Sequence, residues 1–363
     1  MKARGFNFGA GPAAIPEEIL KEAQVALWNW DNTGMSILEV GHRTPAFMDM
    51  LAETESLCRQ ILNIPQTYAV LFLGGAARTQ FANIPLNLLN KGNKAAYVVS
   101  GTWSEMAYQE ACHLVSDAVY CIASSKAEGF VMGPIHQTDI QSDTQYLYYT
   151  PNETIVGFTY QPPQEWSTIP WVADMTSCLF SEPIDIENYD LIFAGAQKNI
   201  ANAGLTLVIV RRDKLEYQPE SPLPLMQDYR VQDQHQSLYA TPPTFNCYLM
   251  NLMMKWIIKQ GGVDALQKYN QAKAQMLYQF LDDSNIYRTF VKEPYRSILN
   301  VSFTTDSAEK DQWISQQCEK LGLYSLKGHR FLGGLRASLY NSMPIEGVEK
   351  LIETLKQLAL VSH

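Results

Sequence analysis

The residues best placed for chemistry are a lysine and an aspartate that each follow a short apolar run. Lys198 comes after the run 191–194 and the small residues Gly195-Ala196, and Asp174 ends the run Trp171-Val172-Ala173. Short apolar runs that end in small or polar residues are typical of buried strands. A lysine at the mouth of a sheet is partly desolvated, which favours the neutral amine that attacks carbonyl compounds.

The spacing of Asp174 and Lys198 leaves room between them for a connection that returns the chain to the sheet as one more strand. A lysine that forms an imine, together with an aspartate held against a pyridinium nitrogen, is the pair that pyridoxal phosphate enzymes need. Lysines and aspartates also occur at strand ends without any catalytic role. The pair alone therefore leaves both interpretations open.

Composition indicates an ordinary soluble globular protein. Of the 363 residues, 46% are hydrophobic and 18% are charged. The length is enough for two domains, or for one large domain with a smaller companion. The net charge of -9 argues against a nucleic-acid or acidic-membrane partner, so an anionic ligand needs a local basic cluster. The six cysteines lie far apart, the N-terminus lacks an apolar signal segment, and no apolar run reaches membrane-spanning length. We therefore expect a cytoplasmic protein with reduced thiols and no metal site.

Strands and helices are expected to alternate through the first two thirds of the chain. The predicted strands are 36–40, 68–73, 95–99, 118–122, 146–149, 171–174, 191–194 and 205–210, and helices lie between several of them. This pattern predicts an α/β fold with a mostly parallel sheet that is covered on both faces. Ligands of such sheets bind beyond the carboxyl ends of the strands.

The domain organisation follows from a change of pattern near residue 265. We predict an N-terminal segment (1–15) that packs near the active site, a large cofactor-binding domain (16–264) and a small α+β domain (265–363). Residues 213–245, which are rich in Pro, Gln, Asp and Tyr, are expected to form a long ordered excursion of the large domain.

A glycine-rich turn and a tryptophan follow two of the predicted strands. Backbone N–H groups of the turn Gly74-Gly75-Ala76-Ala77-Arg78-Thr79, at the start of a helix, are suited to holding a phosphate. The turn matches neither the GxGxxG fingerprint nor a P-loop, and such turns often serve packing alone. The indole of Trp103 is suited to stacking on a flat heteroaromatic ring, although a core position is its usual role.

Basic residues form three clusters in this acidic protein: His42-Arg43, His329-Arg330 and Arg336. Arginine makes bidentate contacts with carboxylates and phosphates. Arg336 stands inside an apolar strand, where an unpaired charge is costly, so it is either half of an internal salt bridge or an anchor for a substrate carboxylate. The three clusters together would suit a small substrate that carries a carboxylate and a phosphate.

With these residues placed, the sequence resembles the phosphoserine aminotransferases, a family of fold-type I pyridoxal phosphate enzymes. The likeness covers nearly the whole chain in twelve ordered segments: FNFGAGPA, EVGHR, PLNLL, PNET, VADMTS, AGAQKN, AGLTLVIVR, TPPTF, KWIIKQGGV, LKGHR, GGLRASLYN and MPIEGV. The resemblance implies a homodimeric transaminase of serine biosynthesis that interconverts O-phospho-L-serine and 3-phosphohydroxypyruvate with 2-oxoglutarate and L-glutamate. Activity on 4-phosphohydroxy-L-threonine in vitamin B6 synthesis is a family property that the sequence leaves open.

The resemblance also implies a role for each matching residue. Lys198 would form the Schiff base with pyridoxal phosphate, and Asp174 would keep its ring nitrogen protonated. Contacts with the cofactor would come from Ala77, Arg78, Trp103, Thr154, Gln197, Ala240 and Thr241, the last two reaching the phosphate from the other subunit. The substrate's phosphate and carboxylate would be bound by His42, Arg43, His329, Arg330 and Arg336.

The chain departs from the family pattern at four places. The usual GGGRG turn carries Ala76-Ala77 here, and the usual SSGP segment is Gly9-Ala10-Gly11-Pro12. Ala240 replaces an asparagine, and Ala201-Asn202 replaces Gly-Pro. None of these changes removes a catalytic group, but each is expected to weaken binding of cofactor or substrate, or to accompany a shifted specificity.

Four other functions remain to be weighed. Another fold-type I transaminase would share the same residues, whereas a desulfurase needs a mobile loop cysteine and a histidine in place of Trp103. A catalytically silent binding protein is disfavoured by the presence of both Lys198 and Asp174. A nicotinamide-dependent dehydrogenase is disfavoured by the missing GxGxxG fingerprint.

Overall fold

A computed structural model of the chain describes residues 4–125, 132, 136–163, 169–216 and 222–361. Its helices are α1 (Glu17–Trp28), α2 (Pro45–Leu62), α3 (Thr79–Leu88), α4 (Thr102–Val115), α5 (Tyr229–Gln234), α6 (Thr244–Lys259), α7 (Gly262–Asp282), α8 (Ala308–Lys320) and α9 (Ile345–Val361). Its strands are β1 (Phe6–Asn7), β2 (Tyr68–Gly74), β3 (Lys94–Val99), β4 (Val119–Ser124), β5 (Thr144–Tyr149), β6 (Asn152–Glu153), β7 (Phe158–Thr159), β8 (Trp171–Asp174), β9 (Tyr189–Gly195), β10 (Leu205–Arg211), β11 (Arg288–Thr289), β12 (Asn300–Thr304), β13 (Leu323–Tyr324) and β14 (Leu335–Ser338). None of the described helices combines the length and the apolar composition that a bilayer crossing requires.

The central sheet has seven strands in the order β2-β10-β9-β8-β5-β3-β4. The five strands from β9 to β4 are parallel, and β10 runs antiparallel to both of its neighbours. Alternate residues of β2 belong to different apolar clusters, since Val70 and Phe72 pack into one and Leu71 into the other. Both faces of the sheet are therefore covered, which confirms the predicted α/β fold with a mostly parallel sheet.

The sheet brings the ends of three neighbouring strands to one edge. Strands β5, β8 and β9 are parallel and adjacent, so their carboxyl ends point the same way. Asp174 is the last residue of β8, and Lys198 follows the end of β9 by three residues. The two residues of β6 follow β5, and Thr154 comes directly after them. Residues distant in sequence thus converge beyond this edge.

The C-terminal part of the chain builds a second, smaller core. Strands β11, β12 and β14 form an antiparallel sheet, and side chains from α7, α8 and α9 share its apolar cluster. Phe8 from the N-terminal segment is buried in the same cluster, and β1 pairs in parallel with β13. The boundaries at residues 15 and 264 stay predictions. In the segment 213–245, outside residues 217–221, the structure places a short helix, α5, before α6.

The expected strand at 36–40 is wrong, because this segment forms a turn. The Ser36 hydroxyl accepts a hydrogen bond from the Leu38 N–H, and the Glu39 carboxylate accepts one from the Ser36 N–H. Local side-chain bonds of this kind compete with strand pairing. His42 and Arg43 therefore follow a turn and not a strand.

A buried lysine anchors the segment that follows β14. Lys273 of α7 is fully buried, and its Nζ donates hydrogen bonds to the carbonyl oxygens of Leu339 (2.9 Å), Tyr340 (2.8 Å) and Met343 (3.0 Å). Burial lowers the pKa of Lys273 to about 7. Three donated bonds require the protonated ammonium group, so hydrogen bonding opposes the effect of burial. The three carbonyl dipoles thus stabilise the ammonium charge. In return, the lysine holds the backbone of residues 339–343 in place.

Replacing Lys273 with Met should therefore destabilise the protein while roughly keeping side-chain volume. The Leu339 and Met343 carbonyls would lose the donor described for them, whereas the Tyr340 carbonyl would keep the Met343 N–H, so we expect a cost of roughly 2 kcal/mol or more. Urea unfolding followed by circular dichroism measures this change. Lys268, which is exposed on the same helix, supplies the matched control, because Lys268→Met should change the free energy of unfolding by less than about 0.5 kcal/mol. Equal stability of the two variants would contradict the anchoring role.

Candidate active site

Lys198 lies in the turn that follows β9 and is almost fully buried. Its Nζ donates a hydrogen bond of 3.3 Å to the Thr154 hydroxyl. Burial lowers the pKa of Lys198 to about 8; the negative charge of Asp174 opposes this shift, and the positive charge of Arg336 adds to it. The amine is thus neutral in a much larger fraction of molecules than an exposed lysine at the same pH, as a nucleophile or a proton acceptor requires.

Asp174 is a buried carboxylate at the end of the neighbouring strand. Its Oδ1 accepts a hydrogen bond of 2.9 Å from the Thr176 N–H. Burial raises the pKa of Asp174, whereas the bonds from Thr176 and the charge of Lys198 lower it. The Thr176 hydroxyl accepts a bond from the Gly195 N–H, which ties the ends of β8 and β9 together.

Trp103 and Thr154 meet beside the lysine. The Trp103 indole Nε1 donates a 3.0 Å hydrogen bond to the Thr154 Oγ1, the same oxygen that accepts from Lys198. Lys198 Nζ lies 5.9 Å from the centre of the Trp103 ring. With two donors on its oxygen, the Thr154 hydroxyl keeps its own proton for a further acceptor. The indole forms one wall of the space around the amine.

The glycine-rich turn after β2 contributes a second wall. Ala77 is buried, and the Arg78 guanidinium lies 5.8 Å from the Trp103 ring centre. A Cβ built on Gly195 would lie 2.5 Å from Gln197 Oε1 and 3.0 Å from the Ala77 Cβ. This crowding places Ala77 and Gln197 next to each other and explains why residue 195 is a glycine. The methyl group of Ala77 is accommodated by packing, since the residue is buried.

The basic residues of the C-terminal part approach the same space. Arg336 donates a 3.1 Å hydrogen bond to the Thr154 carbonyl oxygen, and its Nε is buried without a partner among the described residues. Burial lowers the pKa of Arg336. Burial also lowers the pKa of His329, with further contributions from the charges of Arg336 and Arg330. The internal salt bridge considered for Arg336 has no carboxylate partner in the described part of the chain.

Four of the residues expected at the site stand apart from Lys198 within one chain. Arg43, Ala240 and Thr241 are exposed, and no described contact joins them to the lysine. His42 is partly buried, and its Nε2 lacks a hydrogen-bond partner among the described residues. The structure therefore assembles Lys198, Asp174, Trp103, Thr154, Ala77, Gln197, Arg78, Arg336 and His329 in one region, and their roles stay predictions.

Sequence reasoning missed two features that border the lysine. Glu153 is a fully buried carboxylate directly before Thr154. The acidic residue within the PNET segment could have indicated this buried carboxylate. Asn199 Oδ1 accepts a hydrogen bond of 3.1 Å from the Asn341 N–H, which connects the neighbour of Lys198 to the C-terminal part. The described residues include no group of three or more His, Cys, Asp or Glu side chains arranged to hold a metal ion.

Comparisons with known proteins agree with this geometry. The family model described as aminotransferase class-V matches residues 5–351. A phosphoserine aminotransferase from Legionella pneumophila (strain Philadelphia 1) is 56% identical over 362 residues, which covers 99% of each protein. The structure of a phosphoserine aminotransferase from Bacillus circulans subsp. alkalophilus superposes with a TM-score of 0.94 at 37% identity and 99% coverage of both chains.

A second solved structure, the PLP-bound phosphoserine aminotransferase from Trichomonas vaginalis, matches with a TM-score of 0.90 at 35% identity, over 97% of this chain and all of the other. These matches extend over the central sheet and the C-terminal part alike, and they confirm the fold-type I architecture that the sequence predicted. The chain therefore belongs to the class-V aminotransferase family.

Proposed function

We propose that this protein is a pyridoxal phosphate-dependent phosphoserine aminotransferase. It transfers the amino group between O-phospho-L-serine and 2-oxoglutarate, with 3-phosphohydroxypyruvate and L-glutamate as the other pair. The observation that carries the proposal is a buried lysine of lowered pKa near the Arg336 guanidinium, which has His329 and Arg330 close to it, in a protein whose net charge is -9. The names of relatives that align with nearly the whole chain support the same substrate.

The side chains around Lys198 fit pyridoxal phosphate in their chemistry. Lys198 supplies the amine for a covalent bond, Asp174 the carboxylate for the ring nitrogen and Trp103 the stacking surface. The Thr154 hydroxyl has a proton to donate, and the turn with Ala77 and Arg78 offers backbone N–H groups and a cation for a phosphate. When bound, the cofactor provides the electron sink that stabilises negative charge at the substrate Cα.

Lys198 is the residue that moves the proton in this mechanism. Its neutral Nζ would accept the proton from the substrate Cα and would then return that proton to complete the amino transfer. Desolvation lowers its pKa to about 8, near the value at which general base catalysis works best in neutral solution. Asp174 would keep the ring nitrogen of the bound cofactor protonated, because a buried negative charge favours a cation beside it.

Substrate recognition falls to the basic residues. Arg336 offers its unpartnered Nε and adjacent N–H groups to a carboxylate, and a partly buried charge binds an anion more strongly than an exposed one because water screens it less. On the loop before β14, Arg330 supplies positive charge for a second anionic group, and the His329 imidazole, whose pKa burial lowers, supplies an N–H donor. Glutamate and phosphoserine both carry a second acidic group, so one set of cations serves both half-reactions.

We further propose that the active unit is a homodimer in which His42, Arg43, Ala240 and Thr241 complete the partner's site. Half of the exposed large apolar side chains among the described residues lie between residues 25 and 48, around the turn that carries His42 and Arg43. These are Val25, Leu27, Trp28, Met35, Leu38 and Met48. This concentration of exposed apolar side chains in one stretch of the chain, here called the apolar patch, supports an interface with a second copy.

Replacing Leu38 with Glu should therefore weaken the dimer and, with it, cofactor retention and activity. Leu38 is 62% exposed in the single chain and lies in the apolar patch. Light scattering after size exclusion should give twice the 41.0 kDa chain mass for the wild type and a lower mass for Leu38→Glu. Leu360→Glu, at a residue that is 78% exposed on α9, is the matched control and should stay dimeric. A fully active wild-type monomer would contradict the shared site.

Two finer features of the proposal concern location and a second substrate. All six cysteines are free in the structure, which supports the reducing cytoplasm as the location.

Transamination of 4-phosphohydroxy-L-threonine in pyridoxine synthesis uses the same carboxylate and phosphate anchors. Its rate relative to phosphoserine under identical conditions decides whether the protein serves both pathways.

The pKa of Lys198 can be tested without substrate. The apoprotein should capture pyridoxal phosphate, trapped by borohydride reduction, at a rate that rises with pH and reaches half its maximum near pH 8. An ordinary lysine gives a midpoint near pH 10.4. Asp174→Asn removes a negative charge that raises the pKa of Lys198, so the midpoint should fall. Arg336→Gln removes a positive charge that lowers this pKa, so the midpoint should rise.

Opposite shifts in these two variants are the decisive result. A wild-type midpoint near that of an exposed lysine would contradict the buried amine. Shifts of equal sign in both variants would show that general damage, and not charge, alters the reaction.

Absorption spectra of the holoprotein test the substrate. Glutamate and O-phosphoserine, each added alone, should abolish the yellow band, and the matching keto acid should restore it. Lys198→Ala should lower turnover by about 10³-fold or more, because general acid–base catalysis alone contributes about 10² to 10⁴, whereas exposed Lys292→Ala should not change it.

Three results would redirect the assignment. A response to glutamate but not to O-phosphoserine would point to another acceptor. Near-normal turnover by Lys198→Ala would rule out its catalytic role. A protein that stays colourless with added pyridoxal phosphate would overturn the enzyme assignment.

A further inference from the structure

Glu153 is a buried carboxylate that joins two elements far apart in sequence. It forms β6 with Asn152, has no exposed surface, and faces the start of α4. Its Oε1 accepts hydrogen bonds from the Ser104 N–H (2.8 Å) and the Ser104 hydroxyl (2.7 Å). Its Oε2 accepts a bond of 3.1 Å from the Trp103 N–H. Both oxygens of the carboxylate are thus used.

The contact supplies what the helix lacks at its own N-terminus. The N–H groups of the first helical turn have no partner within the helix, and they attract negative charge. Gly101, which precedes α4, has no side chain that could cap it, whereas Glu153 reaches the N–H groups of two residues of the first turn. A Cβ on Gly101 would lie only 2.5 Å from the Glu153 Cδ. The glycine leaves the space that the carboxylate fills.

The same helical turn carries the indole beside Lys198. The Trp103 N–H is bonded to Glu153, and the Trp103 Nε1 is bonded to the hydroxyl of the next residue, Thr154. One tryptophan is therefore fixed at its backbone and at its ring by two consecutive residues of one segment. The indole can neither tilt nor slide along the helix axis without breaking one of these bonds.

From this geometry we infer that Glu153 is a positioning residue, which fixes the first turn of α4 so that Trp103 presents its ring to the bound cofactor and Thr154 its hydroxyl. The inference rests on the proposed use of pyridoxal phosphate. Glu153 need touch neither the substrate nor the cofactor, and it acts through the two residues that it holds.

The charge of Glu153 also reaches the lysine. Burial raises the pKa of Glu153, and the hydrogen bonds from Ser104 and Trp103 oppose that shift. The N–H groups of Trp103 and Ser104 can only donate, which favours the ionised form of the carboxyl. The negative charge of Glu153 raises the pKa of Lys198, in the same direction as Asp174.

The test is Glu153→Gln, which keeps the shape but replaces one acceptor oxygen by an N–H₂ group and removes the charge. Visible circular dichroism of the holoprotein reports how the cofactor is held in its asymmetric site, and it needs no substrate. We expect Glu153→Gln to change the sign or reduce the amplitude of the cofactor band. Turnover should fall by between about tenfold and a hundredfold, as expected for a small displacement of positioned groups.

A second readout separates positioning from mere stability. The midpoint of pyridoxal phosphate capture by the apoprotein should move to lower pH in Glu153→Gln, because a negative charge near Lys198 is lost. Ser104→Ala, which removes one of the three donors and keeps the charge, should alter the dichroism less and leave the midpoint unchanged. Glu110→Gln, at an exposed acid on the same helix, should change neither readout.

Three outcomes would overturn the inference. The first is an unchanged dichroism band in Glu153→Gln. The second is a loss of activity that only follows the unfolded fraction, with a normal band in the folded protein. The third, if Glu153→Gln does not fold, is a wild-type band in Ser104→Ala. A protein that binds the cofactor but does not transaminate phosphoserine leaves the dichroism test intact, so the two proposals can fail separately.

Discussion

The site depends on the removal of one amine from water. An exposed lysine is almost always charged at neutral pH, and a charged amine neither attacks a carbonyl carbon nor accepts a proton. Burial at the edge of the sheet pushes Lys198 toward the neutral form, and Arg336 pushes it further. Asp174 and Glu153 act in the opposite direction, so that the pKa stays near 8. The fold holds these opposing charges at fixed positions around a single nitrogen.

Much of this arrangement could be predicted from the sequence because parallel strands impose a simple rule. Residues that follow such strands gather at one edge, which is why Lys198, Asp174 and Thr154 lie together as expected. The turn at 36–40 was missed because Ser36 and Glu39 satisfy its backbone with their own side chains. Local hydrogen bonds of this type favour a turn even where the number of apolar residues would suit a strand.

Two other parts of the site are invisible to sequence patterns for different reasons. The partners of Glu153 are the backbone N–H groups of Trp103 and Ser104, and every residue except proline has such a group. The sequence therefore does not indicate which N–H groups bind the Glu153 carboxylate. Arg43 and Thr241 are a second case, since position along one chain carries no information about a neighbouring copy. The predicted role of Thr241 rests on the family resemblance alone, whereas that of Arg43 also follows from its place beside His42 in a basic cluster.

The hydrogen bond between Asn199 and Asn341 has a mechanical consequence. Asn341 lies in the segment that Lys273 anchors through three carbonyl oxygens, and this segment directly follows the strand of Arg336. The residue next to Lys198 is thus hydrogen-bonded to the part of the chain that carries Arg336. Thermal displacement of the C-terminal strands carries the lysine's neighbour with it. These hydrogen bonds therefore limit changes in the distance between the Lys198 amine and the Arg336 guanidinium.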